Sequence, residues 1–325
     1  LIGLLARTAQ GLYWMSRYLE RAQHLCRLLR LQSEALVDRP IRDINFGWSR
    51  IYISIDREPP GGGIVQIDSD NYTLADSFTL AGDVTFERTN PDSVLRCFTL
   101  GRENARQMRQ CISGEMWSCL NLAYLRIQEL GIQDIWRTSP ESFYAGLEGE
   151  IDTFTGVASA TMYRDEGWNF LRLGQFIERA QLLSGLLIAQ IDLGESSNEH
   201  SAADWASLLR LYHAVEAYNR RFNVEVEPEN VLEVLTTDGL LPGSLIRSVD
   251  RAGFELRSIG AGPDTRTSDS TRRLAGRLSS MLHYEWPDQQ DKKPMLDRVN
   301  TLCRELHQHL SDTYFDYSSE SMPRL

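Results

Sequence analysis

From Leu5 to Leu36 an apolar or small side chain recurs at Leu5, Leu12, Met15, Leu19, Ala22, Cys26, Leu29 and Leu36, mostly at alternating steps of three and four. That spacing gathers the side chains on one face of an α-helix and scatters them over both faces of a strand, so it predicts a long amphipathic helix. The rest of the chain supplies helices to cover the stripe. A second helix around Trp48 gives way to a loop rich in Pro, Gly and Asp from Arg57 to Asn71. Asn90-Pro91-Asp92-Ser93 then offers a cap and a proline at a helix start, predicting a long helix from about Pro91 to Leu130 with Val94, Phe98, Ala105, Met108, Ile112, Met116, Cys119, Ala123 and Ile127 inward. Ser139-Pro140-Glu141 opens another in the same way, and a largely apolar one follows from Trp168 to Ile191. Further helices are expected over Trp205–Phe222, Pro228–Leu235, Ser244–Ile259, Ser270–His283 and Pro294–Tyr314. The fold class is all-α, with no sheet beyond short pieces near Arg57 to Asn71.

The chain also resembles itself. Leu19-Glu20-Arg21-Ala22-Gln23 returns 158 residues later as Ile177-Glu178-Arg179-Ala180-Gln181, and Trp48-Ser49-Arg50-Ile51 returns as Trp205-Ala206-Ser207-Leu208. Pro91, Ser93, Arg96 and Arg106 correspond to Pro242, Ser244, Arg247 and Arg257 at a slightly shorter offset, as loops of unequal length produce. Three anchors in one order imply an internal duplication of a multi-helix unit, with copies of about 1–135 and 163–315 and a bridging helix over about 139–162. Two copies are too few for an open solenoid, so residues 1–325 read as one pseudo-symmetric helical bundle.

Composition excludes several function classes. With Lys+Arg 34 against Asp+Glu 45 the net charge is -11, which repels phosphate backbones and anionic membranes and argues against a nucleic-acid partner. Five cysteines, at 26, 97, 111, 119 and 303, form no CxxC pair, so neither a disulfide framework nor a zinc ribbon is indicated and a reducing, cytoplasmic setting is expected. The most apolar stretch, Leu182 to Ile191, is about half the roughly 20 residues a spanning helix needs, and no charged segment followed by an apolar core reads as a targeting signal.

Familiar catalytic signatures are absent: no GxGxxG, no Walker lysine motif, no HExxH and no GxSxG. Lysine occurs only at Lys292 and Lys293, and Gly61-Gly62-Gly63 precedes no phosphate-binding helix pattern. Cys303 and His307 lie one helical turn apart, but two ligands do not make a metal site, and a packed thiol beside a surface histidine accounts for them. No cofactor is implied. The informative residues are Glu-Arg pairs. Arg17, Glu20, Arg21 and His24 form one charged stripe, worth a few tenths of a kcal/mol per pair where it faces water. Glu178 falls between Leu171 and Leu182 on its own stripe, so its carboxylate faces protein and needs a partner. Either Glu178 and Glu20 pair with arginines across the two copies and fix helix register, or they line a polar pocket for an anionic or zwitterionic ligand. A third constellation, Arg102, Glu103, Asn104, Arg106, Arg109, Glu115, Trp117 and Asn121, falls on the long helix from Pro91, with Asn104 and Glu115 on one flank of its stripe and Arg102 and Arg109 on the other. The second copy keeps Arg257 for Arg106 but has Phe254 and Glu255 for Glu103 and Asn104, and an asymmetric polar patch is a better functional candidate than a symmetric one.

At these residues the chain resembles the alpha-E domain family, bacterial all-helical proteins with a Glu-Arg motif. The resemblance covers nearly the whole chain. It rests on Arg7-Thr8-Ala9, Leu12-Tyr13-Trp14, Arg17-Tyr18-Leu19-Glu20-Arg21-Ala22, Asn90-Pro91-Asp92-Ser93, Arg102-Glu103-Asn104-Ala105-Arg106, Ser113 to Asn121 and Phe176-Ile177-Glu178-Arg179-Ala180. Gln10-Gly11 stands where members usually carry Glu-Asn, and Arg57 to Asp76 is diverged. Members have no firmly assigned reaction and are usually encoded beside, or fused to, circularly permuted ATP-grasp and transglutaminase-like proteins. The resemblance therefore implies an amide-bond or peptide-modification system with an ATP-grasp-type ligase as partner and a peptide or amino-acid-like ligand. An accessory or substrate-presenting role comes first, with Arg17, Arg21, Arg102, Glu103, Asn104, Arg106 and Arg179 as candidate ligand or partner contacts. The alternatives are an enzyme using Glu20, Glu178 or Glu115 as acid or base with Arg102 or Arg106 holding a carboxylate, and a non-enzymatic helical scaffold.

Overall fold

The computed structural model describes residues 6–64, 70–197, 202–223, 225–259 and 265–315; Leu5 and residues 65–69 of the expected loop lie outside the described residues. Among the described residues every regular element is helical. In chain order they are α1 (Ala6–Asp38), α2 (Ile41–Ser54), α3 (Asp70–Phe86), α4 (Val94–Gln107), α5 (Gly114–Ile127), α6 (Ile132–Trp136), α7 (Pro140–Thr161) and α8 (Glu166–Ser197). There follow α9 (Ala202–Leu211), α10 (Val215–Arg221), α11 (Pro228–Thr237), α12 (Leu245–Ser258), α13 (Thr265–Ser280) and α14 (Lys293–Leu310). Both α13 and α14 run on into a π-helical turn, Met281–Glu285 and Ser311–Phe315.

Three expectations need correction. The helix expected from Pro91 to Leu130 is two helices, because the chain turns at 108–113, where the Cys111 amide bonds the Met108 carbonyl at 2.8 Å and the Ser113 hydroxyl accepts from the Met116 amide at 3.1 Å as the cap of α5. Met108 and Ile112 stay buried through that turn, so the apolar period runs on while the helix does not. At the start of α4 the cap is Ser93, accepting from the Arg96 amide at 3.2 Å, and Asn90 instead closes a local turn with the Asp92 amide at 3.0 Å. The helix expected over Trp205–Phe222 breaks after Leu211, where His213 takes a left-handed φ of 53° and the Ala214 amide folds back onto the Leu209 carbonyl at 2.8 Å, a helix-ending geometry. The segment Asp70–Phe86, left unassigned by the apolar pattern, is α3.

Two long helices organise the molecule. α1 has 33 residues and α8 has 32, and their mutual contact is the most extensive in the fold. α1 also packs on α4 and α7, while α8 packs on α12, α14 and α2; α4 carries α5 much as α12 carries α13. The approach of α8 depends on two glycines. A Cβ on Gly174 would sit 2.2 Å from the Tyr13 carbonyl oxygen, and one on Gly185 would sit 2.8 Å from that of Ser54, so α8 runs against the backbones of α1 and α2. Among the described residues no helix is long and apolar enough to cross a membrane.

Candidate functional site

Where α1 and α8 meet, the stripe of Arg17, Glu20, Arg21 and His24 does not face water. Arg17, Glu20 and His24 are buried, and so is Glu178 opposite, 1% exposed. One Glu178 oxygen accepts from Arg17 Nε at 2.5 Å and the other from Arg21 Nε at 2.7 Å. In the reverse sense Arg179 donates through Nε and Nη2 to the two oxygens of Glu20, at 2.5 and 2.9 Å. The helices therefore exchange charges reciprocally, each giving a glutamate to an arginine of the other. Arg21 continues to Asp92, which also receives Arg57, and Arg17 reaches Gln181 at 2.6 Å and the Tyr13 hydroxyl at 3.2 Å. Tyr13 in turn meets Nδ1 of His307 at 2.9 Å and stacks on its ring.

Burial alone would raise the pKa of Glu178, but the two guanidinium groups outweigh it and hold the carboxyl at about 2. Glu20 is likewise lowered, Arg179 prevailing over burial. Burial, reinforced by Arg17, lowers His307 to about 4, so the imidazole is neutral and binds Tyr13 as an aromatic partner. It is half-buried rather than free on the surface: with Trp14 edge-on it docks α14 onto α1. Cys303 is buried and its thiol is pushed up to about 12 by desolvation. Among the described residues no group of three or more His, Cys, Asp or Glu could hold a metal.

Beside this knot a cleft of about 400 Å³ opens between α2, α8 and α14. Arg21, Asp92 and Glu178 form its inner wall, and Asp297, Asn300 and Arg304 of α14 its outer one. Asn300 is held in place by donating to Ser184 Oγ at 2.8 Å and to the Gln181 carbonyl at 3.2 Å. Arg304 approaches Asp56, whose φ of 56° ends the turn after α2. The cleft thus presents both signs of charge and fixed amides to solvent.

The third constellation lies elsewhere, on α4 and α5, and its single-helix wheel does not survive the turn at 108–113. Arg102 donates to Asn121 at 2.7 Å and lies over the rings of Tyr124 and Trp117, tying α4 to α5. Glu103 and Arg106 pair with each other along the surface of α4 at 2.7 Å, Asn104 is half-buried, and Glu115 is exposed in the first turn of α5. None of these residues lines the cleft. The structure brings Arg17, Glu20, Arg21, Glu178 and Arg179 together. Sequence reasoning missed Asp92 as a charge partner, since its place before Ser93 reads as capping, and missed His307, whose one-turn spacing from buried Cys303 marks an inward face.

Residues 4–315 match the model of the Alpha-E family, described as a predicted alpha-helical domain with a conserved ER motif. Uncharacterized proteins of Mycobacterium bovis and Mycobacterium tuberculosis are 24% identical over 296 residues, 87% of this chain and 33% of theirs. The chain therefore spans about a third of the length of these curated relatives. No solved structure matches it. The family match over nearly the whole chain, together with an all-helical fold whose two Glu-Arg pairs, Glu20-Arg21 and Glu178-Arg179, interlock at its centre, makes this chain a member of the Alpha-E family.

Proposed function

We propose that this chain is an accessory, substrate-presenting protein of an ATP-grasp-linked amide-bond or peptide-modification system, working in the cytoplasm with no ATP chemistry of its own. The observation that carries this reading is the cleft beside Glu178, where Arg21 and Arg304 stand with Asp92 and Asp297 around an open volume of about 400 Å³. A wall with both charges and rigid amides suits a peptide or amino-acid-like ligand, which carries both charges itself. The same geometry favours presentation over catalysis. A general acid or base works best with a pKa near the ambient pH, whereas Glu178 is held at about 2 and His307 at about 4. The ligase partner is taken from the family resemblance alone.

The internal duplication belongs to the same proposal. It is supported by the reciprocal Glu20–Arg179 and Glu178–Arg21 bonds, by the caps Ser93 and Ser244, each accepting at 3.2 Å from the amide three residues on, and by the parallel stacking of α1, α4, α5 and α8, α12, α13. Co-expression with an ATP-grasp-type ligase is the test. The expected result is a co-eluting complex in which the ligase alone turns over ATP and the doubly substituted chain D297N/R304Q, still folded, lowers amide formation at least tenfold. Micromolar MgATP binding by this chain alone, measured by calorimetry, would overturn the reading.

A further inference from the structure

A second cavity, of about 290 Å³, lies between the last turns of α1, the middle of α2 and the start of α9, away from the cleft just described. Arg50 of α2 lines it and is only 5% exposed; it makes no direct ion pair among the described residues, although Asp204 lines the same cavity and acts on it through space. Its Nη1 donates to Gln190 Oε1 at 2.9 Å and to Ser207 Oγ at 3.3 Å, and its Nε–H is buried with no acceptor. Neutral oxygens do not balance a buried cation, which is ordinarily paired. Burial lowers the Arg50 pKa to about 10, outweighing the upward pull of Asp204.

The other arginines of the cavity are satisfied. Arg210 pairs with Glu34, and Arg39 approaches Asp43 at 3.7 Å. At the rim, exposed Asp38 makes no ion pair among the described residues. In the register that matches Trp48 to Trp205, Arg50 stands opposite Ser207, so the sequence repeat does not require an arginine here. An arginine that the fold does not repeat and that no carboxylate bonds directly, Asp204 acting on it only through space, lines a pocket together with the exposed Asp38.

We propose that this cavity binds a small zwitterion, an amino acid or short peptide, its carboxylate on Arg50 and its ammonium toward Asp38. A guanidinium presents donors in a planar fork that suits a carboxylate, and the ligand would supply the direct carboxylate bond that Asp204 does not make. The site is independent of the cleft beside Glu178.

Calorimetry with glycylglycine, N-acetylglycine and glycinamide tests it. Glycylglycine is expected to bind saturably in the millimolar range, N-acetylglycine at least threefold more weakly, and glycinamide not at all. R50Q should lose at least tenfold in glycylglycine affinity while remaining folded, because the substitution removes a buried charge that no carboxylate bonds directly. A206L, which narrows the cavity without touching Arg50, should lose binding as well, and D297N/R304Q should retain it. Equal glycylglycine binding by the parent and a folded R50Q or A206L would overturn the proposal, as would no binding by the parent. Tighter binding of inorganic phosphate than of glycylglycine would overturn the zwitterion assignment, and loss of binding only in D297N/R304Q would move the ligand to the other cleft.

Discussion

Glu178 and Glu20 make reciprocal bonds in unequal surroundings, and the inequality predicts different costs of removal. Glu178 serves two arginines, one of them, Arg17, as buried as itself, whereas Glu20 serves Arg179, whose side chain is 17% exposed. Glu178→Ala leaves a buried guanidinium without its carboxylate and should cost about 3–5 kcal/mol, seen as a lower midpoint in denaturant. Glu178→Gln keeps an acceptor oxygen and should cost less. Glu20→Ala should cost about 1–3 kcal/mol, since water reaches Arg179. Equal stability of all three variants and the parent would refute the buried-pair account. Glu178 was legible in the sequence because its position between Leu171 and Leu182 demanded a partner in protein. Arg57 was not, because it reaches Asp92 from a loop whose course no periodicity specifies.

At the scale of elements, glycine in a helix costs about 1 kcal/mol relative to alanine unless something needs the missing Cβ. Gly156 of α7 has nothing within 4 Å of that position, so Gly156→Ala should stabilise by up to about 1 kcal/mol. Gly174→Ala would drive a methyl to 2.2 Å from the Tyr13 carbonyl, forcing α8 off α1, and should cost about 2 kcal/mol or more. Thermal melts of the two variants should move in opposite directions. The same elements show what local sequence can specify. The stripe of α1 and the caps Ser139 and Ser244 carried enough information, since side-chain spacing and a hydroxyl three residues before an amide are local matters. The division between α4 and α5 was hidden because Met108, Ile112 and Met116 keep helical spacing across it and are all buried by neighbours distant in sequence. α3 escaped because its apolar residues are interrupted by Thr73, Ser77, Thr79 and Gly82, which weaken any one face.

For the molecule as a whole, depressed imidazoles shape the response to mild acid, His24 and His307 most strongly, with His213 lowered in the same direction by burial. Burial, reinforced by Arg27, lowers His24 to about 4, and His307 is lowered to the same value by burial and Arg17. An unfolded chain takes up both protons near the ordinary histidine value of 6.5, while the folded chain refuses them until about pH 4. The unfolded state then binds more protons, so stability falls as pH drops from 6.5 toward 4. Glu178 adds a further loss from the ordinary carboxylate value of 4.5 down to about 2, as its ion pairs are protonated away. Glu148 and Glu255, raised chiefly by burial, act in the opposite sense, because the folded chain protonates them first. Urea midpoints across this range should fall below pH 6.5, and His24→Gln with His307→Gln should flatten the part above pH 4. An unchanged slope in the double variant would assign the loss to the carboxylates and His213.

The reciprocal bonds between α1 and α8 also set a timetable for biosynthesis. Arg17 waits for Glu178 across 161 residues of chain. At roughly 5–20 residues per second, a ribosome needs about 8–30 s to cover that distance. Throughout that interval the nascent α1 shows its apolar stripe and its arginines without the helix that covers them. The α4 and α7 helices, made earlier, can shield part of the stripe, but the central seam closes only when Gln181 has left the exit tunnel. Translation stalled between α7 and α8 would therefore yield a chaperone-bound, protease-sensitive chain, and release past residue 200 would convert it to a resistant one.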